Sequence, residues 1–462
     1  MGDEVTPTDE PGPEWARWEK QLDSFDPAER GAALAALAGR AQRGCITLPP
    51  AGSDVNLHCH TFFSYNPYGY SPSKFAWLAR KVGMAVAGIV DFDVLDGLDE
   101  FREAGRLLRL KTCVGLETRV YLPEFSDKVM NSPGEPGISY HMGVGFPSAS
   151  LAPPEQQFVA HLRRTSEERN RDLVRRVSNY LRPVALDYDA DVLPLTPSGN
   201  ATERHICLAY VLRARAAFPD DRELADFWTE KLEADVGKLE SLTGFGLQAL
   251  VRARTMKRGG VGYVQPGEGS FPHLAETNRF LLAAGAIPTH TWLDGTSEGE
   301  QRMEELLHVV MATGVAAVNV IPDRNYTPGR PDAKLANLGH VVSIAKRLGL
   351  LVVAGTEMNS PGHKLVDDFR SPELAPLLPV LLTSAYAVYA HSVLEGQAGL
   401  GYMSPWAQRH FPRLADRAAF FAQVGKTLPV GEEDCLAGLE EQARPELVLR
   451  RIGARRTEMS QG

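Results

Sequence analysis

Apolar positions follow two rhythms along this chain, and the switches between them divide it. From about residue 14 to 43 (EWARWEKQLDSFDPAERGAALAALAGRAQR) the spacing is helical and closes on basic residues before Gly44, which predicts a helical N-terminal extension. The LPPAGSD stretch after it reads as a linker, so residues 1–53 form a first region. From Val55 short apolar runs alternate with amphipathic ones: VNLHCH, SKFAWLARKVG, AVAGIVDF, GLDEFREAGRLL, TCVGLE. That order is strand, helix, strand, helix, strand, the texture of an α/β fold with a parallel sheet or barrel. Between about 150 and 260 the rhythm turns helical (HLRRTSEERNRDLVRRVSNYL, RHICLAYVLRARAAF, RELADFWTEKLEADVGKLESL), which predicts an inserted helical subdomain. Alternation resumes with HLAETNRFLLAAG, AIPTHTWL, EELLHVVMATG, AAVNVIP, NLGHVVSIAKRLG and LLVVAGTEMN, so 54–149 and 261–370 make one barrel around the insertion. Residues 371–462 return to helical spacing and are expected to form a C-terminal extension.

Composition narrows the class. A length of 462 residues, 44% hydrophobic and 23% charged, suits a folded chain with a sizeable core. The sequence shows no run near the ~18 apolar residues of a membrane helix. The acidic, proline-rich start lacks a secretory signal, so the expectation is a cytoplasmic protein with no membrane partner. Five scattered cysteines, none in a CxxC arrangement, signal neither a disulfide framework nor a structural zinc knot. A formal charge of −9 disfavours long nucleic acid, whose affinity comes from phosphate neutralisation by Lys and Arg. A small anionic substrate held by a metal remains compatible.

The candidate chemistry lies at strand ends. His58 and His60 flank Cys59 at the end of an apolar strand, so pleating sends both imidazoles to one face. Two imidazoles converging at the C-terminal end of a barrel strand are a common metal grip. Other predicted strands end in Asp91 and Asp93, in Glu117, in His290 and in Glu357, while His141 follows a short apolar segment. Asp93 reads best as an N-cap for the following helix. Glutamate is a poor cap, so Glu117 and Glu357 fit a shared mouth better.

The motifs NLHCHTFFS, IVDFDVLDG, VGLETRV, YHMGVGF, AIPTH and VAGTEMN come in the order of the polymerase and histidinol phosphatase (PHP) superfamily, which this chain resembles from about Asp54 to Lys364. Within the insertion, NATERHICLAYVL resembles the arginine and histidine helix of the branch that removes phosphate from nucleotides. The resemblance implies a distorted (β/α)7 PHP-type barrel with a helical insertion and helical extensions at both ends. It implies a first metal on His58, His60, Glu117 and Glu357, with Glu117 bridging to a second held also by His141 and His290. The family's final aspartate is Glu357 here, its following histidine is Asn359, its DHD motif reads Asp91-Phe92-Asp93, and Tyr65 stands where another aspartate is usual. Those lost groups serve the family's third metal, so the expectation is two divalent ions, manganese, iron or zinc, sharing a bridging hydroxide. A further family glutamate is replaced by Asn319.

By this resemblance the chain is expected to be a phosphoric ester hydrolase acting on a small, possibly nucleotide-like phosphomonoester. Arg204, His205 and Arg324 are the candidate phosphate binders, and Asp91 and His363 the candidate proton-handling or orienting residues. A dense aromatic loop (Phe62, Phe63, Tyr65, Tyr68, Tyr70) could stack a ring or simply pack over the rim. Two alternatives stay open: a two-metal barrel hydrolase of a non-phosphate bond, and a non-catalytic binding protein derived from the same fold.

Overall fold

The computed structural model describes residues 13–328 and 332–459. The first twelve residues of the expected N-terminal extension therefore lie outside the described residues. Seven strands form one sheet in sequence order: β1 (Val55–Cys59), β2 (Val86–Phe92), β3 (Lys111–Tyr121), β4 (Ile138–Val144), β5 (Ile287–Thr291), β6 (Ala317–Val320) and β7 (Leu351–Ala354). A bridge from Cys59 to Glu357 brings the last strand's end beside the first, so the sheet is a nearly closed barrel surrounded by helices. All neighbours are parallel except β4, which runs antiparallel to both β3 and β5. An antiparallel neighbour needs no crossover helix, which is why β3 and β4 join through the short segment 122–137. The reversal then places the whole helical insertion between β4 and β5.

Local sequence explains the helices that wrap the barrel. The helix Pro72–Lys81 begins with Ser71 accepting from the Lys74 amide, carries proline in its first turn, and buries Phe75, Ala76 and Ala79. The helix Leu98–Leu108 buries Leu98, Phe101, Ala104, Gly105 and Leu108, one stripe at helical spacing, and stops at Arg109 in a left-handed conformation. Its N-cap is Gly97 without a side-chain bond, so the cap expected of Asp93 is not made. Asp93 instead accepts from the Thr118 hydroxyl at 2.6 Å.

The insertion contributes long helices at Pro153–Tyr180 and Glu203–Ala217, and residues from Leu173 to Met256 close on their own apolar cluster around Tyr210 and Trp228. Asn200 ties it to the barrel, its amide nitrogen donating to the carbonyls of Phe63 and Phe92 at 2.9 and 2.8 Å. At the other end of the chain the helical segment Ala375–Ala398 is long and apolar enough to cross a membrane by length and composition, which the run-by-run sequence reading missed. In this fold 61% of that window is buried. Ser384 of this segment accepts from the Val352 amide of β7, and Lys111 of β3 stacks over its Tyr389.

Candidate metal centre

The first strand is shaped to present two imidazoles. Its register against β2 slips between Asn56 and Cys59, a bulge that lets His58 and His60 face inward while Cys59 packs outward with Ile89. Asn56 fixes the bulge: its Oδ1 accepts from the His58 amide, and its Nδ2 donates to Thr356 Oγ1 and to the Leu365 carbonyl. Gly355 allows the close pass of β7 over β1, since a Cβ there would lie 2.4 Å from the Cβ of His58.

Glu117 on β3 completes the group. Its Oε2 lies 3.3 Å from His60 Nε2 and 3.6 Å from His58 Nε2, and the two imidazole nitrogens are 3.3 Å apart. The donor atoms of all three lie within 4.8 Å of one another, and all three residues are buried. Burial acts to raise the Glu117 carboxyl, but the charges and hydrogen bonds of His58 and His60 outweigh it and bring the pKa down to about 2. Burial would likewise depress His58, yet the charge and hydrogen bond of Glu117, with Glu357's charge, hold it above its ordinary value. An ionised carboxylate beside two imidazole nitrogens is an acceptor set that needs a proton or a cation between its members, so the donor chemistry fits a divalent metal.

A second observation supports that fit. His60 Nδ1 contacts Ser64 Oγ at 3.1 Å, and Ser64 Oγ donates to Asp91 Oδ1 at 2.6 Å. With its proton committed to Asp91, the Ser64 oxygen can only accept, so His60 carries its proton on Nδ1 and keeps the Nε2 lone pair free toward Glu117 and His58. Ligand histidines are oriented in this way through their other nitrogen. Asp91 is filled, taking the Thr61 amide at 2.8 Å and the Thr61 hydroxyl at 2.7 Å besides Ser64. Ser64 was not singled out from sequence, because its link to Asp91 spans 27 positions.

Glu357 flanks the group without belonging to it. Its amide donates to the His58 carbonyl and its carbonyl accepts from the His60 amide, both at 2.7 Å. Glu357 and Met358 both have positive φ, 59° and 50°, a strain held in place by those two bonds.

His141 and His290 are placed differently from expectation. In the antiparallel β3–β4 pair, Glu117 opposes Met142 and Thr118 opposes His141. Residues directly opposed share a face, so His141 lies on the far side of the sheet from Glu117. His290 opposes His141 and shares that outer face. The outer helix Leu274–Ala283 meets them there: Asn278 Oδ1 lies 2.6 Å from His141 Nε2, and a Cβ at Gly143 would strike Leu281. Burial pushes His141 down to about 4 and His290 to about 3, and no protein partner reaches His141 Nδ1 or either nitrogen of His290. The expected second ion on Glu117, His141 and His290 is therefore not assembled in this geometry. The inner face at that level carries Thr291, paired to Asn319, whose side chain approaches His58 and helps hold that imidazole above its ordinary value.

The mouth holds the remaining candidates. Arg204 crosses from the insertion to donate to Ser360 Oγ at 2.7 Å, in the loop beyond Glu357. Its neighbour His205 is drawn into the start of its own helix: Nδ1 accepts from the Thr202 amide, the ring meets Tyr65 edge-on, and burial lowers its pKa to about 4. Arg324 is exposed on a short turn after β6. His363 has a buried Nδ1 without a partner and is lowered by burial against the charges of Glu357 and Asp323. In the aromatic loop, Phe62 and Phe63 pack together, while Tyr68 accepts from the Gly362 amide.

No model of a known protein family matches the chain, and no curated protein matches it. Several solved structures are similar, two of which follow. One is an amidohydrolase from Chromobacterium violaceum with bound sulfate and no metal, 16% identical, with a TM-score of 0.48 over 71% of this chain and 96% of that one. The other is a candidate metal-dependent phosphoesterase from Bifidobacterium adolescentis, 18% identical, with a TM-score of 0.45 over 72% of this chain and 98% of that one. Both likenesses are too distant to bear on chemistry.

Proposed function

We propose that this chain is a metal-dependent hydrolase of the PHP type that cleaves a small phosphate ester, nucleotide-like in class. The observation that carries the reading is the buried His58, His60 and Glu117 group at the mouth of the barrel, with one imidazole's tautomer set by Ser64 and Asp91. A manganese, iron or zinc ion held by these three residues, with Glu357 beside them, would supply Lewis acidity toward an ester oxygen and activate water. Asp91 acts as a positioning residue, since its oxygens are engaged by Thr61 and Ser64. Arg204 offers a cation to the substrate's phosphate, held in place by Ser360. His363, the other candidate proton-handling residue, has its pKa lowered by burial and is suited to accept a proton rather than to donate one.

The pleat parity of β4 and β5 favours one ion over two, and this keeps a second reading in play: hydrolysis of an amide or lactone, which needs no second cation to clamp a phosphoryl oxygen. The test is metal content by elemental analysis together with a panel of phosphate esters, amides and lactones in metal-supplemented buffer. Glu117→Gln is expected to bring bound metal to background and to abolish turnover. Retained metal in that variant would overturn the assignment, and turnover of amides or lactones alone would select the second reading.

A further inference from the structure

The inner face of β3 continues past Glu117 to Arg119, one pleat repeat further toward the mouth, directly opposite Tyr140 on β4. Tyr140 lies 6.0 Å from Phe92, which stacks on the His60 ring at 4.5 Å, so this face is continuous with the metal centre. Above it the insertion supplies Arg169. Both guanidinium groups rest on one ring, Phe271, at 4.1 and 4.7 Å from its centroid. Stacking on a buried aromatic ring holds a guanidinium flat and leaves its N–H edge directed outward.

The charges here do not balance. Arg119 shares Glu135 at 3.3 Å with the Ser132 hydroxyl, and its side chain remains 28% exposed. Among the described residues no carboxylate stands within ion-pair distance of Arg169, whose hydrogen bond to the Ser270 carbonyl is 3.4 Å long. Next to them Arg252 and Lys257 share the single carboxylate of Glu203. Two further acids act on Arg169 by charge alone, Asp93, which is engaged by Thr118, and Glu168 on its own helix. Burial and the Arg119 charge bring Arg169 down to about 10, outweighing the opposing charges of Asp93 and Glu168.

We propose that Arg119 and Arg169, braced on Phe271, form a subsite that receives an acidic group, carboxylate or phosphate, on the part of the substrate that is not cleaved. Paired guanidinium edges suit the planar or tetrahedral oxygens of such a group. The subsite selects among substrates and takes no part in bond breaking. Its catalytic consequence rests on the hydrolase reading above; its binding does not.

Two measurements on the full chain separate the two. In a Glu117→Gln background, which removes the metal centre from consideration, titration calorimetry with succinate and with inorganic phosphate reads anion binding without the ion, and substitution of the two arginines assigns it to the subsite rather than to Arg204. Arg169→Gln and Arg119→Gln are each expected to weaken the preferred anion at least tenfold, and the preference between the two probes tells a carboxylate from a phosphate. Binding that is absent in the background protein, or unchanged by both substitutions, overturns the proposal. In the metal-replete chain, Arg169→Gln should raise KM about tenfold for 4-carboxyphenyl phosphate while leaving p-nitrophenyl phosphate unchanged. An equal loss on both esters would mark a merely structural role and overturn the proposal. If neither ester is hydrolysed by the parent chain, the calorimetry still decides the subsite.

Discussion

Ser64 is the smallest feature on which the metal centre depends. Its hydroxyl links the Asp91 carboxylate to the His60 ring, and it decides which imidazole nitrogen faces Glu117. Ser64→Ala should leave the fold intact and lower metal affinity about tenfold, as loss of a ligand's orienting partner commonly does; competition with a chelating dye measures it, and an unchanged affinity would show that the tautomer is set elsewhere. His290 makes the opposite case. Neither of its buried nitrogens has a protein partner, and each such group costs about 1–3 kcal/mol. His290→Leu is therefore expected to raise or hold the thermal midpoint and to leave metal content unchanged. Loss of metal in that variant would return His290 to the ligand set and refute the parity argument.

At the scale of elements, the decisive contact is the pass of β7 over β1. Gly355 sits against the His58 backbone with no room for a methyl group, and Glu357 bonds on either side of the same strand end. Gly355→Ala forces the two strands apart; overpacking of this kind costs about 1–3 kcal/mol. The expected result is a lowered denaturant midpoint together with weakened metal binding, since His58 moves with its strand. Stability lost with metal affinity intact would mean that the loop after β7 yields instead. The same scale shows what strand texture could not tell. The alternation of apolar runs revealed β5 as a strand and left β4 as a short apolar segment, but a sheet face follows from register, and one residue of register exchanges inner for outer. The family resemblance made His141 and His290 ligands, and the antiparallel course of β4 put them behind the sheet. Arg119 was legible by the same parity rule, two residues beyond Glu117, had the rule been applied past the motif.

For the whole molecule, pH exposes the buried imidazoles. His141, His205 and His391 are held down to about 4 and His290 to about 3, all by burial, against an ordinary value of 6.5. Between those values the unfolded chain binds protons that the folded chain refuses, so stability falls as pH drops from 6.5 toward 4 and is fully present above 6.5. Each histidine contributes about 1.4 kcal/mol per pH unit across that window. Urea midpoints of the metal-free chain at pH 7.5 and 5.0 should differ steeply, and His391→Gln should flatten the difference; a midpoint flat between those values would contradict neutral burial. The helical insertion also acts at this scale. It reaches the barrel through Asn200 and Arg204 and brings Arg169 onto Phe271 over the mouth, joining residues that lie far apart in the chain.

The order of apolar and amphipathic segments by itself determined six of the seven strands, the helical insertion and extensions, and the pairing of two imidazoles with a strand-end glutamate, because periodicity and residue type are local properties of the chain. Tertiary structure alone decided which strand runs backward, which side of the sheet each histidine takes, how Ser64 and Asp91 fix a tautomer, and which arginines gather around Phe271. Those outcomes depend on register and on contacts between distant segments, and no local pattern encodes them.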